Sequence, residues 1–426
     1  MTKAEKTSPE SERVIIAGAG IAGLTLALSL EQQGIPFRVY EAVSELRPLG
    51  VGINLQPHAV REIFELGLAK EIDAIGLKTE EVAYFSAQGG LIWREPRGKF
   101  AGYNWPQYSI HRGKLQMMLR DALVARAGEE VLVLGAALES WQETEAGIEV
   151  KFVDRHSGKA LTSVKGGLLV AGDGINSAAR ARLYPDEGPA HWRGTMMWRG
   201  VSKGPRFRTG RTMAMAGTWD RKFVCYPIAD AEGGQSVINW IADLAKPADY
   251  RWNKQDWNRV GKLEDVLPPF ADWQFDWLDV PEIIRTAELI YEYPMVDRNP
   301  LTRWTHGRMT LIGDAAHAMY PIGSNGASQA IIDARVLTRE LRDHGVTGGA
   351  LEAYDLARRE KVNAVVLANR GDGPDKVLDL VAERAPNGFE VIDEVMSQQE
   401  LTDLAASYKK LAGMDISTLN NQPSIL

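Results

Sequence analysis

The chain has 426 residues, with 49 Lys plus Arg against 56 Asp plus Glu and a formal charge of −7. That length suits two to three domains at roughly 150 residues each, and the acidic balance argues against a nucleic-acid or anionic-lipid partner. The single cysteine, Cys225, excludes an intrachain disulfide, a thiolate zinc cluster and a CxxC pair, and seven histidines without HExxH or HxH make a metal site unexpected.

Residues 1–12 are polar and mixed in charge, which reads as a flexible leader without the apolar stretch of a signal peptide. No run reaches the roughly 18 apolar residues needed to cross a bilayer. The expectation is a cytoplasmic chain with no membrane partner, as a monomer or homodimer. Arg13 to Ala17 is a short apolar run of the kind found in a buried parallel strand. Ile21 to Gln33 has helical periodicity and stops at Gly34, and Phe37 to Tyr40 reads as a second strand.

The turn between the first strand and that helix is Gly18-Ala19-Gly20-Ile21-Ala22-Gly23, a GxGxxG in its required context. Gly18 permits the tight turn, Gly20 lets the backbone approach a pyrophosphate, and Gly23 lets helix and strand pack closely. Glu41 ends the second strand, where a carboxylate accepts ribose hydroxyls and repels a 2′-phosphate. Together these predict a dinucleotide, NAD or FAD.

Further on, Gly167 to Ala171 reads as a strand, followed by the turn Gly172-Asp173-Gly174 and then Arg180. From Arg193 to Tyr293 strand-like pieces recur (213–215, 223–227 and 237–241), and nine of the twelve tryptophans fall between Trp192 and Trp304. Core packing is the preferred account of these tryptophans, a wall around a flat aromatic ligand the other. Arg308 to Ile312 is another strand. It opens Gly313-Asp314-Ala315-Ala316-His317 and Tyr320-Pro321-Ile322-Gly323-Ser324-Asn325-Gly326-Ala327, and a helix then runs toward His344. Helices are expected at 350–370 and 388–411, separated by Gly371 to Pro374.

This later glycine-rich site points from NAD to a flavin. Asp314 can bind ribitol hydroxyls, and N–H groups near Gly326, Ala327 and Ser328 can stabilise negative charge on a reduced isoalloxazine edge. His317, a lone histidine after Gly-Asp-Ala-Ala, is read as a structural partner of that loop and Cys225 as a buried apolar residue.

The stretches GAGIAGL, AGDGINSAAR and LIGDAAHAMYPIGSNGASQA, in this order, resemble the GxGxxG, DG and GD motifs of the single-component FAD-dependent aromatic monooxygenases, the para-hydroxybenzoate hydroxylase-like family. The resemblance covers residues 12 to 370. Stretches at 47–60, 106–116, 195–201, 261–268 and 293–301 are similar to its branch that acts on methylated phenazine carboxylates.

That resemblance implies an α/β fold: a Rossmann-like FAD-binding domain (13–75, 101–185, 294–345), an inserted mixed β-sheet substrate domain (76–100, 186–293) and a helical C-terminal segment (346–426). It implies FAD held by Gly18, Gly20, Ala22, Gly23, Glu41, Ala42, Val51, Gly52, Arg112, Leu134 (through its backbone), Asp173, Gly174 and Asp314, with NAD(P)H as transient reductant. Pro321 and Gly323 would shape the oxygen pocket beside the flavin. Trp198, Arg199, Tyr226 and Ile322 are substrate candidates, Arg199 as partner for a carboxylate. Where the family prototype carries a hydroxyl-bearing residue this chain has Ile322, so the prototype's substrate contacts do not transfer. The implied reaction is hydroxylation of an aromatic or N-heteroaromatic, carboxylated small molecule by NAD(P)H and O2 through a flavin C4a-hydroperoxide, with no side chain declaring itself the base. A flavin reductase or oxidase without oxygen insertion and a non-catalytic FAD-binding redox reporter remain the alternatives.

Overall fold

A computed structural model of the chain describes residues 10–252 and 259–426. The first nine residues of the expected leader lie outside it. Its last three, Glu10–Glu12, form a 3-10 turn whose Ser11 carbonyl sits so close to Gly167 that a Cβ there would approach it to 2.1 Å.

A six-stranded sheet runs in the order Thr305–His306, Met309–Leu311, Leu168–Ala171, Val14–Ala17, Phe37–Glu41, Leu132–Leu134. All neighbours are parallel except the first pair. The central strands VIIA and LLVA are buried throughout, as strands covered on both faces must be. Helices Ile21–Gln32, Arg112–Ala127 and Gly326–His344 pack over this core. The expected strands of this sheet and the two helices beginning at Ile21 and Gly326 are present, their ends displaced by at most a residue.

An eight-stranded sheet follows the order Arg259–Val260, Ile290–Asp297, His191–Pro205, Gln235–Ala245, Arg221–Asp230, Thr212–Gly217, Glu81–Phe85, Leu91–Pro96. Alternation along its strands divides the side chains between two environments. One face buries Trp198, Trp240, Phe223 and Cys225 against Phe270 and Trp273. The other presents Met197, Met213, Met215, Val224 and Ile241. Among the described residues, no tryptophan from 192 to 304 lines the cavity beneath that second face; Trp198, Trp240, Trp273 and Trp304 are buried core, Trp192, Trp252 and Trp277 are half-buried, and Trp219 is exposed.

The C-terminal segment differs most from expectation. Gly348–Arg370 is one helix, but 388–411 is not. Residues 388–391 and 395–397 are not helical, and within 388–397 only Ile392–Glu394 forms a 3-10 turn before helix Gln398–Leu411. That helix starts where it does because Ser397 and Glu400 form a reciprocal capping box. Helices Lys376–Arg384 and Ile416–Asn421 were not expected. Among the described residues no helix is long and apolar enough to cross a membrane.

Candidate active site

Ala17, Ala171 and Leu311 lie side by side in register at the carboxyl ends of three adjacent parallel strands. The loops beginning at Gly18, Gly172 and Ile312 therefore leave the sheet from one edge, the crevice where open parallel sheets bind ligands. Gly18 has φ +104°, and a Cβ there would lie 2.4 Å from the Gly172 carbonyl oxygen, so only glycine fits. Glu41 joins the second strand to the same turn, accepting from the N–H of Ala19 (2.7 Å) and of Val43 (2.9 Å).

Arg180 ties the later two motifs together. From its buried position it donates to the carbonyls of Ala316 (2.8 Å) and Asn299 (2.6 Å) and pairs with Glu187. Behind the third loop, Asp333 accepts from the Gly313 N–H (3.1 Å) and the Arg358 Nε–H (2.8 Å) and shares a 2.5 Å hydrogen bond with His317 Nε2. Burial opposes its charge, but His317 and Arg358 outweigh that and hold the Asp333 carboxyl at about 2. His317 is thus fixed in the loop's scaffold and does not line the cavity. Next to it, Asp314 is exposed on the cavity wall and accepts no hydrogen bond from the described residues.

The three loops and the apolar sheet face enclose one cavity of about 780 Å³. On strand His191–Pro205, Met197 and Arg199 face it while Trp198, between them, turns into the opposite core. Arg199 Nη2 donates to the Gly52 carbonyl (2.9 Å), and Asn239 Oδ1 accepts from the Gly52 N–H (2.6 Å). This clamp joins the sheet to the 50–52 segment. Burial pushes the Tyr226 phenol up to about 12, with Arg199 opposing. At another edge, Lys222 Nζ pairs with Asp375 (2.7 Å) and Asp243 (3.6 Å), all three side chains nearly inaccessible. Burial raises the Asp243 carboxyl pKa, Lys222 opposing.

Most expected site residues line this single cavity: Gly18, Gly20, Ala22, Glu41, Ala42, Val51 and Gly52 at one end, Arg112 beside Gly50, Asp173 and Gly174 along one side, and Asp314, Pro321, Ile322, Gly323, Gly326 and Ala327 opposite. Four do not. Gly23 is buried under Gly18, whose carbonyl a Cβ would meet at 2.0 Å, so its role is packing. Leu134 pairs with Glu41 at the sheet edge, outside the lining. Ser328 is buried, its hydroxyl accepting from the Gln56 N–H (3.1 Å). Trp198 points the wrong way. The sequence reading missed Lys222, Asp243, Asp375 and Tyr408. Period-two alternation with Tyr226 would have found Lys222; nothing local marks Asp375 or Tyr408.

A flavin dinucleotide fits the donor set. A Cβ on Gly20 would meet nothing within 4 Å, which leaves room before the helix N-terminus for phosphate. Among the described residues the Asp173 Oδ1 is buried without a partner, and the Arg112 guanidinium lies against Gly50 on the cavity wall. Burial raises the Asp173 pKa, partly offset by its hydrogen bond from Ser177.

The family model described as FAD binding domain matches residues 11–368. The chain is 45% identical over 375 residues to a phenazine 1,6-dicarboxylic acid hydroxylase, PhzS, of Lysobacter antibioticus, covering 87% of this chain and 91% of that protein. It is 32% identical to an aurachin C monooxygenase/isomerase of Stigmatella aurantiaca, over 83% and 86% of the two chains. Among solved structures, a salicylate hydroxylase substrate complex superposes with TM-score 0.74 at 22% identity, covering 98% of this chain and 100% of that one.

Proposed function

The chain belongs to the FAD binding domain family, and from that membership we propose the following function. It is an FAD-dependent flavoprotein monooxygenase that hydroxylates an aromatic small molecule with O2. The substrate is a flat, carboxylated N-heteroaromatic ring system of the phenazine carboxylate kind, and NAD(P)H is the reductant. The choice of ring system follows the phenazine dicarboxylate named for the 45% identical relative.

One observation carries this: a single cavity bounded by three glycine-bearing loops and by an apolar sheet face, so that cofactor and substrate share one chamber. FAD, when bound, supplies electron transfer from the nicotinamide and activation of O2. The chain's part is binding, orientation and exclusion of water. Gly18, Gly20 and the helix N-terminus hold the pyrophosphate, Glu41 the adenosine ribose, Asp314 the ribitol. Met197, Met215, Val224 and Ile241 offer a flat apolar floor to a ring. Arg199, with its Nε unpartnered among the described residues, is the cation for a substrate carboxylate. Leu401 and Leu404 close the outer side and keep water from the chamber.

The purified protein tests this when screened against phenazine-1,6-dicarboxylic acid, 6-hydroxynicotinate and 3-amino-4-hydroxybenzoate, with NADH and with NADPH. Stimulated oxidation of the nicotinamide together with a product one oxygen atom heavier supports it. Oxidation yielding only hydrogen peroxide across the panel would move the assignment to a flavin oxidase.

A further inference from the structure

The family match ends at residue 368, yet Asp375, Leu401, Leu404, Tyr408 and Lys409 line the cavity. Lys222–Asp375 (2.7 Å) and Lys409–Glu95 (2.5 Å) pin this segment to the sheet from two sides. Between these pins Tyr408, on helix Gln398–Leu411, is buried against the loop that carries Pro321 and Gly323.

Tyr408 reaches both ends of that loop. Its hydroxyl donates to Asn369 Oδ1 (2.9 Å), and Asn369 Nδ2 donates to the Tyr320 carbonyl (3.2 Å). The same hydroxyl accepts from Asn325 Nδ2 (3.0 Å), which also donates to the Gly323 carbonyl (3.1 Å). Between these anchors Gly323 and Ser324 both adopt left-handed conformations, φ +70° and +54°. For a serine that geometry is disfavoured and persists only where neighbours enforce it. A Cβ on Gly323 would lie 2.0 Å from the Tyr408 oxygen, so the phenol fills the space that the glycine leaves. Burial pushes the phenol pKa up, and the Asn325 hydrogen bond opposes it, so the hydroxyl keeps its proton and its donor role.

We propose that Tyr408 is a positioning residue: it holds the strained Gly323–Ser324 turn against the cavity, and through that turn sets how the substrate ring lies relative to the flavin. This makes the segment beyond the family match a determinant of coupling and specificity. The proposal rests on the monooxygenase function above.

The test uses the full-length, FAD-loaded protein with phenazine-1,6-dicarboxylic acid as probe and Tyr408→Phe as variant. Flavin content and KM should stay within about twofold of wild type, because the ring still packs. Product formed per NAD(P)H should fall about tenfold, with hydrogen peroxide rising to match, since misplacement of reacting groups by about an ångström carries penalties of that order or more. The flavin absorbance difference spectrum on adding the probe should change shape. Asn369→Leu, which removes the acceptor from the other side, should reproduce the pattern and decides the matter if Tyr408→Phe does not accumulate. Ser407→Ala, exposed on the same helix, should match wild type. Wild-type coupling and an unaltered difference spectrum in Tyr408→Phe would overturn the proposal. A wild-type protein that makes no oxygenated product defeats the proposed function instead, and the difference spectrum still decides the role of Tyr408.

Discussion

Replacing Asp333 with asparagine removes a charge and almost no volume at a buried side chain that braces the start of the third loop. Asp333 is fully buried and holds Gly313, His317 and Arg358 at once. A carboxyl kept at about 2 against an ordinary 3.8 represents about 2–3 kcal/mol of charge stabilisation. Removing one partner of a buried ion pair costs about 3–5 kcal/mol, because Arg358 is left uncompensated. The two figures meet near 3 kcal/mol, a drop in urea midpoint on the order of 1 M at a slope of about 3 kcal/mol per M. Because the folded carboxyl lies below its unfolded value, this stabilisation is complete above about pH 5 and is lost as pH falls toward 2. The gap between wild type and Asp333→Asn should therefore be widest at pH 7 and narrow steadily between pH 5 and 3. Urea titrations followed by tryptophan fluorescence measure it. Equal midpoints at pH 7, or a gap that ignores pH, would refute the reasoning.

In Gly23→Ala the new methyl group would lie 2.0 Å from the Gly18 carbonyl oxygen; overpacking of this kind costs about 1–3 kcal/mol, and titration of the apoprotein should show weaker FAD binding. Lys222→Met leaves Asp243 and Asp375 facing each other without their cation. It should lose about 3 kcal/mol and expose the C-terminal segment to trypsin, whereas an unchanged nicking rate would show that the ion pair does not hold that segment. Cys225 is inaccessible and burial pushes its thiol up, so a thiol reagent should modify it only after denaturation; fast labelling of the native protein would contradict its placement in the core.

The cofactor half of the site was legible in the sequence because its signals are local. Apolar four-residue runs, a glycine turn and an acid at a strand end occupy contiguous stretches, and parallel pairing brings Ala17, Ala171 and Leu311 level. The substrate half was legible only in part. Nothing in Met196-Met197-Trp198-Arg199 tells which alternate pair faces a cavity, and the larger ring goes to the core. Arg199 was singled out for a ligand, yet one of its N–H groups is committed to the Gly52 carbonyl. Tyr408 was invisible because its partner Asn325 is 83 residues away, and helical periodicity reports a buried face without naming what it is buried against.

The central claim is that loops nearly 300 residues apart hold one flavin, and FAD titration of the apoprotein tests it most directly. Wild type should bind one FAD per chain. Asp314→Ala, on an exposed side chain with no partner among the described residues, should leave folding intact and weaken binding about ten- to a hundredfold, the worth of about 1.5–3 kcal/mol for hydrogen bonds to a charged group. Failure of the wild-type protein to take up FAD, or equal affinity in Asp314→Ala, would contradict it.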